Sequence, residues 1–475
     1  MRICGASTPS LPRPSRQSAM RPRNSCRRFW WSWGMSDWIE GVLPEFAELQ
    51  SGCTVSTAQF GKGVKYITVQ QLYHGNVIDV TKAPRADLSI IDIERYQLVE
   101  GDILLGKSSV KLDGIGYPAW FEDVGETVAY SNFTVRLRSK GILDQKFFFY
   151  WLKGEESRRW IISQAQHSAL TNINQGILNR FPIKYPRLMA EQQKIARILQ
   201  TIDQAIEKTE VLSEKYQQIK AGLMHDLFTR GIGVDGKLRP PREQAPELYQ
   251  QTPIGWIPKE WRHELLEKML APVANNLRSG PFGSAMLKSE LVEDGVPFLG
   301  IDNIHVERFD GTFRRFVSEK KYRELLKYAV RPKDVVITIM GTVGRSAVIP
   351  SYVERALSSK HLWTMSLNEE VVIPELVCWQ LNYAPWAKSW FGRETQGGIM
   401  DAIQSKTLRT LRLPLPPLGE QKDMFARYLT VSGKIAAGKE ELEKLRKEKA
   451  GLMHDLLTGN VRVKLNEPSP EMAGG

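Results

Sequence analysis

Two sets of polar and basic side chains stand near glycines at places where the chain pattern changes direction. The first set is Gln70, Gln71, Tyr73, His74, Lys107, Ser108, Lys111, Ser131 and Asn132. The second is Asn303, Thr342, Arg345, Ser358, Ser359, Lys360 and His361. Amide side chains can pair at two points with adenine, Arg or Lys with guanine, and Ser or Lys can hold phosphate oxygens. Both sets are therefore candidates for contact with duplex DNA. An ordinary solvated surface carries the same residue types, which is the competing reading for each of them.

Motifs for catalysis are missing. There is no G-x-x-x-x-G-K-[ST] loop, no G-x-G-x-x-G and no Asp-Pro-Pro-Tyr or Asn-Pro-Pro-Tyr/Phe segment of the kind amino-methylating enzymes carry. The seven histidines have no metal-ligand spacing. Gly341-Thr-Val-Gly-Arg345 lies between the apolar runs Val335–Met340 and Ala347–Ile349, so a hairpin turn is expected there in preference to a phosphate cradle. Asn132-Phe-Thr134 matches a glycosylation sequon without a clear secretory signal and is taken as accidental.

The elements that must position the two sets are themselves duplicated. Lys-Ala-Gly-Leu-Met-His-Asp-Leu occurs at 220–227 and again at 449–456, and the same offset of 229 pairs Glu191-Gln192 with Glu420-Gln421 and Thr201 with Thr430. Upstream, Val64-Lys-Tyr-Ile aligns with Val296-Pro-Phe-Leu and Gly101-Asp102 with Lys333-Asp334. A period of this length marks repetition of whole domains. Each copy opens with short strands and turns, with a helix expected over Gln145–Gln164 in the first.

Each copy closes in a long helical pattern. Leu199, Ile202, Ile206, Thr209, Leu212, Tyr216, Ile219, Leu223 and Leu227 recur at steps of three and four, as do Tyr428, Val431, Ile435, Gly438, Leu442, Leu445, Leu452 and Leu456. Both are coiled-coil seams and candidate docking surfaces for a partner. His225 and His454 are read as helix-packing residues near a helix end. The expected segments are an N-terminal extension at 1–34, a domain at 35–190, a spacer helix at 191–230, a linker at 231–251, a second domain at 252–419, a second helix at 420–462 and a tail at 463–475.

Composition adds little to the assignment. The net charge is +12, but residues 1–34 hold seven arginines and no acid, which leaves +5 for the rest. That head resembles a transit peptide or a basic arm in composition, and the reading preferred is upstream sequence outside the fold. Cys4, Cys26, Cys53 and Cys378 show no C-x-x-C spacing, which fits a reducing cytoplasm, and no apolar stretch is long enough for a membrane span.

A family resemblance rests on Gly255-Trp-Ile-Pro-Lys-Glu-Trp261, Arg278-Ser-Gly-Pro-Phe-Gly-Ser284, Gly295-Val-Pro-Phe-Leu299, Asp302-Asn-Ile304, Gly341-Thr-Val-Gly344 and Pro416-Pro-Leu-Gly-Glu-Gln421. As a set they resemble the DNA specificity subunit of type I restriction-modification systems, over about residues 36–462. The first copy departs from the pattern at Lys107-Ser-Ser-Val-Lys-Leu-Asp and at Pro186-Arg-Leu-Met-Ala-Glu191. The resemblance implies an α+β fold with two target-recognition domains, separated by two long antiparallel coiled-coil helices in pseudo-twofold arrangement. It also implies a non-catalytic subunit that reads a bipartite site in double-stranded DNA and docks adenine-N6 methyltransferase and helicase-nuclease restriction subunits. No cofactor is expected on this chain; S-adenosylmethionine, ATP and Mg would sit on those partners. The alternatives are a stand-alone DNA methyltransferase or nuclease, and a coiled-coil scaffold.

Overall fold

The computed structural model describes residues 38–73, 75–165, 171–340, 343–394 and 403–465. The expected extension at 1–34, His74 and Thr342 lie outside these residues. The chain divides into two compact units: residues up to Leu199 together with those from Gly451 onward, and Gln200–Ala450.

Unit 1 is built on a four-stranded antiparallel sheet in the order Ala47–Ser51, Thr134–Ser139, Ile103–Gly106, Pro118–Trp120. A smaller sheet sets Phe60–Ile67 between Arg85–Ala86 and Val128–Tyr130, with the last pair parallel. Unit 2 repeats both. Its four-stranded sheet runs Leu277–Ser279, Leu362–Met365, Val335–Thr338, Ser346–Val348, and Val296–Leu299 again lies parallel to Ala356–Ser358. The backbone repeats in detail as well. Gly63 and Gly295 both have positive φ, and a Cβ on either would collide with the carbonyl of the neighbouring strand, at Ala86 and Val317. Gly101 (φ 87°) and Lys333 (φ 66°) turn the chain before the equivalent buried Asp102 and Asp334, and lysine accepts the left-handed conformation that glycine takes freely.

The helix expected over Gln145–Gln164 is two helices, Gln145–Lys153 and Glu155–Gln164. The first buries six consecutive residues, Phe147 to Leu152. Gly154 breaks the pair with ψ at 153°, and a Cβ there would crowd Leu457 at 3.2 Å.

Two 41-residue helices, Met189–Thr229 and Leu418–Thr458, follow the sheets, each about 60 Å long at 1.5 Å per residue. Gln192 and Gln421 secure their first turns alike. The Gln192 amide donates to Pro186 O (2.9 Å) while its carbonyl accepts from Asp144 N. Gln421 does the same with Pro416 O (2.9 Å) and Ile373 N. The core of unit 1 takes in Ile195 and Leu199 from the first helix and Leu456 and Leu457 from the second. The core of unit 2 takes in Met224, Leu227 and Phe228 from the first and Met424 from the second.

Within unit 2 the helices run antiparallel. Asp203 pairs with Lys449 (2.5 Å), Glu210 with Arg446 (2.6 Å), and Lys434 lies over the Tyr216 ring. Ser213 is buried beside Gly438. The seam thus differs from the expectation at two places: Leu212 and Ile219 are 49% and 43% exposed. Ser213 and Lys220 occupy those levels, because a strict alternation of four and three from Ile202 passes through 213 and 220. Ile206, Tyr216, Leu223, Val431, Ile435, Leu442, Leu445, Leu452 and Tyr428 are all at least half-buried.

The stretch 231–251, expected as a linker, is packed. Arg239 is buried, donates to both oxygens of Glu420 (2.6 and 3.0 Å) and pairs with Glu260. The same carboxylate accepts from Trp261 Nε1 (3.0 Å) and Ile232 N (2.7 Å). Tyr249–Thr252 then forms a hairpin with Gly255–Pro258.

Candidate nucleic-acid interface

Each unit has a concavity at the same place in its fold, where the parallel strand pair ends. In unit 1, Ser131 N bonds Ile67 O (2.9 Å) as the chain leaves Tyr130; in unit 2, Ser359 N bonds Leu299 O (3.0 Å) as it leaves Ser358. These bonds make Asn132 equivalent to Lys360 and Phe133 to His361. A short 3-10 helix follows the partner strand in each, Val69–Leu72 and Ile301–Asn303. The third wall differs between the units: in unit 1 it is the excursion after Ile103–Gly106, carrying Ser108–Ser109 and Leu112–Gly114, and in unit 2 it is the stretch from Pro281 to Leu291.

The first concavity has a volume of about 780 Å³ and is lined by Val69, Tyr73, Ser108, Lys111, Tyr117 and Phe133, among others. Phe133 is 59% and Val110 86% exposed at its edge. The Tyr73 hydroxyl donates to Gly114 O (3.1 Å), and burial pushes its phenol above the usual range. Ser108 Oγ donates to Asn172 Oδ1 (2.6 Å), and Lys107 Nζ reaches Ser51 Oγ at 3.4 Å. Gln70 is exposed beside this site, and Asn132 is half-buried next to Phe133.

The second concavity, about 460 Å³, is lined by Lys288, Phe298, Ile301, Arg315, Lys360 and His361, among others. Burial first, then the positive charges of Lys360 and Arg315, hold His361 below its ordinary value, so the ring is neutral near pH 7. Its Nδ1 lies 3.2 Å from Met340 Sδ, just beyond the first strand of the hairpin formed by Val335–Thr338 and Ser346–Val348. Arg345 is exposed on that hairpin, and its carbonyl accepts from Thr338 N (2.9 Å). Ser359 is buried and its Oγ has no partner among the described residues.

Four sequence candidates have side chains that serve the fold. Gln71 is buried, its carbonyl accepting from Thr68 N (2.9 Å) and Thr68 Oγ1 (2.8 Å). Asn303 does the equivalent work, accepting from Gly300 N (2.9 Å) and donating to Asp310 O (3.0 Å). Ser131 and Ser358 are buried at the strand ends. A buried amide already satisfied by its own backbone has no free edge for a base. The Thr-x-x-Gln spacing of 68–71 is a capping-box signal, so Gln71 could have been set aside from sequence. Conversely, Arg315, Lys288 and Phe133 line the concavities although no sequence signal points to them. Arg315, bound by Asp302, follows no glycine and sits in no motif that marks it.

Among the described residues no group of three or more His, Cys, Asp or Glu could hold a metal, and no helix is long and apolar enough to cross a membrane. Cys53 and Cys378 are buried free thiols, and burial pushes Cys378 up to about 12.

Comparison with known proteins matches residues 35–218 to the family described as the type I restriction modification DNA specificity domain. The chain is 25% identical over 373 residues to the type I restriction enzyme MjaVIII specificity subunit of Methanocaldococcus jannaschii, covering 78% of this chain and 82% of the relative. It is 27% identical over 436 residues to a second protein of that organism, provisionally named as the type I restriction enzyme MjaX specificity subunit, covering 90% of this chain and 94% of the relative. The fold is similar to the crystal structure of the S subunit of a type I restriction-modification system from M. genitalium, with a TM-score of 0.53 and 15% identity over 90% of this chain and 97% of that one. Residues 35–218 thus match the type I restriction modification DNA specificity domain, and the chain as a whole is similar to type I restriction enzyme specificity subunits.

Proposed function

We propose that this chain recognises a bipartite duplex site, with one half read at each concavity, and that the paired helices set the spacing between the halves. The observation that carries the reading is the repetition of a concavity at an equivalent place in two duplicated folds whose linings differ in side chain. Phe133 stands where unit 2 has His361, and Asn132 where it has Lys360. Equivalent placement serves a common task, and different linings serve different base sequences. Gln70, Tyr73, Lys107, Ser108, Lys111 and Asn132 are the readers or phosphate contacts proposed for one half. Arg315, Arg345, Lys360 and His361 are those proposed for the other.

The subunit is not itself an enzyme. Methyl transfer to adenine N6, with S-adenosylmethionine, and ATP- and Mg-dependent cleavage belong to methyltransferase and restriction subunits that dock on it, in the cytoplasm where the DNA lies. Exposed apolar residues on the helices, Val211, Leu212, Ile219 and Leu429, are available to such partners, whereas the seam residues are not. Co-expression with the adenine methyltransferase partner and mapping of N6-methyladenine tests the proposal. One split motif with an unread spacer is expected; a contiguous motif, or methylation without sequence preference, would overturn it.

A further inference from the structure

The duplicated octapeptide carries a lysine at its start in both copies, and the two lysines do different things. Lys449 on the second long helix pairs with Asp203 on the first at 2.5 Å, with side chains 20% and 13% exposed. The offset of 229 makes Lys220 the counterpart of Lys449 and Ser432 the counterpart of Asp203. Lys220 therefore faces a position on the second helix that has no carboxylate. The Ser432 hydroxyl there is buried and has no hydrogen-bond partner among the described residues.

The missing charge is supplied from the recognition module. Glu307 Oε2 lies 2.6 Å from Lys220 Nζ, and the same ammonium reaches the Tyr428 hydroxyl at 3.2 Å and stands over its ring at 4.7 Å. Glu307 has φ 58°, a left-handed conformation that a glutamate enters only when its surroundings hold it. Those surroundings are a closed loop. Asn303 Nδ2 donates to Asp310 O, His305 N to Arg308 O and Glu307 N to Ser346 O (3.0 Å). One end of the loop is the Ile301–Asn303 helix that borders the second concavity; its apex reaches the first long helix at Lys220.

We propose that Glu307 is a positioning residue: through Lys220 it fixes the angle of the second recognition surface on the helices that carry it, and so the spacing tolerated between half-sites. This rests on the bipartite reading above. In unit 1 the corresponding loop has Gly75 and Asn76 at this level, and Asn76 accepts from Lys153 of its own module. The second module is thus tied to the first long helix through Glu307, a position where the first module has a glycine with no side chain to make that contact.

Three variants mapped by N6-methyladenine sequencing separate positioning from mere stability. Glu307→Gln keeps the shape and removes the charge. The Glu307→Gln/Ser432→Asp double variant gives Lys220 a carboxylate on the opposing helix, restoring the helix-to-helix pair without the module contact. Ser432→Asp alone draws Lys220 away from Glu307. Glu307→Gln should keep both half-sites but raise methylation at spacers one base pair longer or shorter at least tenfold. The double variant should regain the wild-type melting temperature and keep the broadened spacing, and Ser432→Asp alone should also broaden it. A single spacer length in both single variants, or its return in the double variant, would refute the positioning role. A wild-type protein without a split motif would instead refute the bipartite reading beneath it.

Discussion

The register of the two long helices can be tested with engineered cysteine pairs in a background lacking Cys4, Cys26, Cys53 and Cys378. The facing pairs Asp203 with Lys449, Tyr216 with Lys434 and Ser213 with Gly438 fix an antiparallel alignment in which Ile206 stands level with Leu445. Ile435 is level with Tyr216, ten residues further along the first helix. At 1.5 Å per residue, Ile206 and Ile435 are displaced by about 15 Å along the axis. A disulfide needs Cα atoms about 4.4–6.8 Å apart, so a bridge between those two positions cannot close without sliding one helix by nearly three turns. After oxidation, non-reducing peptide mass spectrometry of the monomer should show a disulfide in the Ile206→Cys/Leu445→Cys variant. None should form in the Ile206→Cys/Ile435→Cys variant. A bridge inside one chain in the second variant, or a bridge found only between chains in the first, would refute the register and with it the paired-helix account.

Three further outcomes follow from the same contacts. Glu420→Ala leaves Arg239 buried and removes the acceptor of Trp261 Nε1 and Ile232 N, so it should cost about 3–5 kcal/mol. At roughly 2–4 °C per kcal/mol for a unit of this size, that is a fall of about 6–20 °C in the Tm measured by calorimetry. Arg345→Ala should cost about 1–3 kcal/mol of discrimination and relax one half-site only, whereas replacing Leu223 and Leu452, which pack on the unit 2 and unit 1 cores, should lower methylation at every site alike. His361 is depressed below its ordinary 6.5, so the unfolded chain takes the proton first and stability present above about 6.5 is lost as pH falls toward the depressed value. His361→Gln should remove that part of the slope in Tm between pH 7.5 and 5; an unchanged slope would mean the ring is not held neutral.

The duplication, the two long helices and the mixed architecture were legible because each leaves a pattern in the chain: a repeated octapeptide, a three-four period, and strand-length apolar runs. What was not legible came from residues whose role depends on a distant neighbour. Ser213 lies on the seam because Gly438 opposite it is small, and a count of apolar side chains passes to Leu212 instead. Gly154 looks like a tolerated helix interior until Leu457, some 300 positions later, fills the space beside it. Gln71 and Asn303 have the chemistry of base readers, and only the backbone around them shows that it is already used. Arg315 and Phe133 gain meaning from the concavities they line, which no local motif announces. The packed stretch around Arg239 reads as a linker because its partner, Glu420, is 181 positions away.

The central claim is that the paired helices measure the distance between two independently read half-sites. Four residues inserted after Ile206 and, at the same level of the opposing helix, after Lys444 add about one turn, ~6 Å, to each helix. In cells carrying the partner methyltransferase, N6-methyladenine mapping should then show both half-sites unchanged and the spacer lengthened by about one or two base pairs, at ~3.4 Å each. An unchanged spacer in a folded, active variant, or altered half-sites with the spacer preserved, would contradict the account.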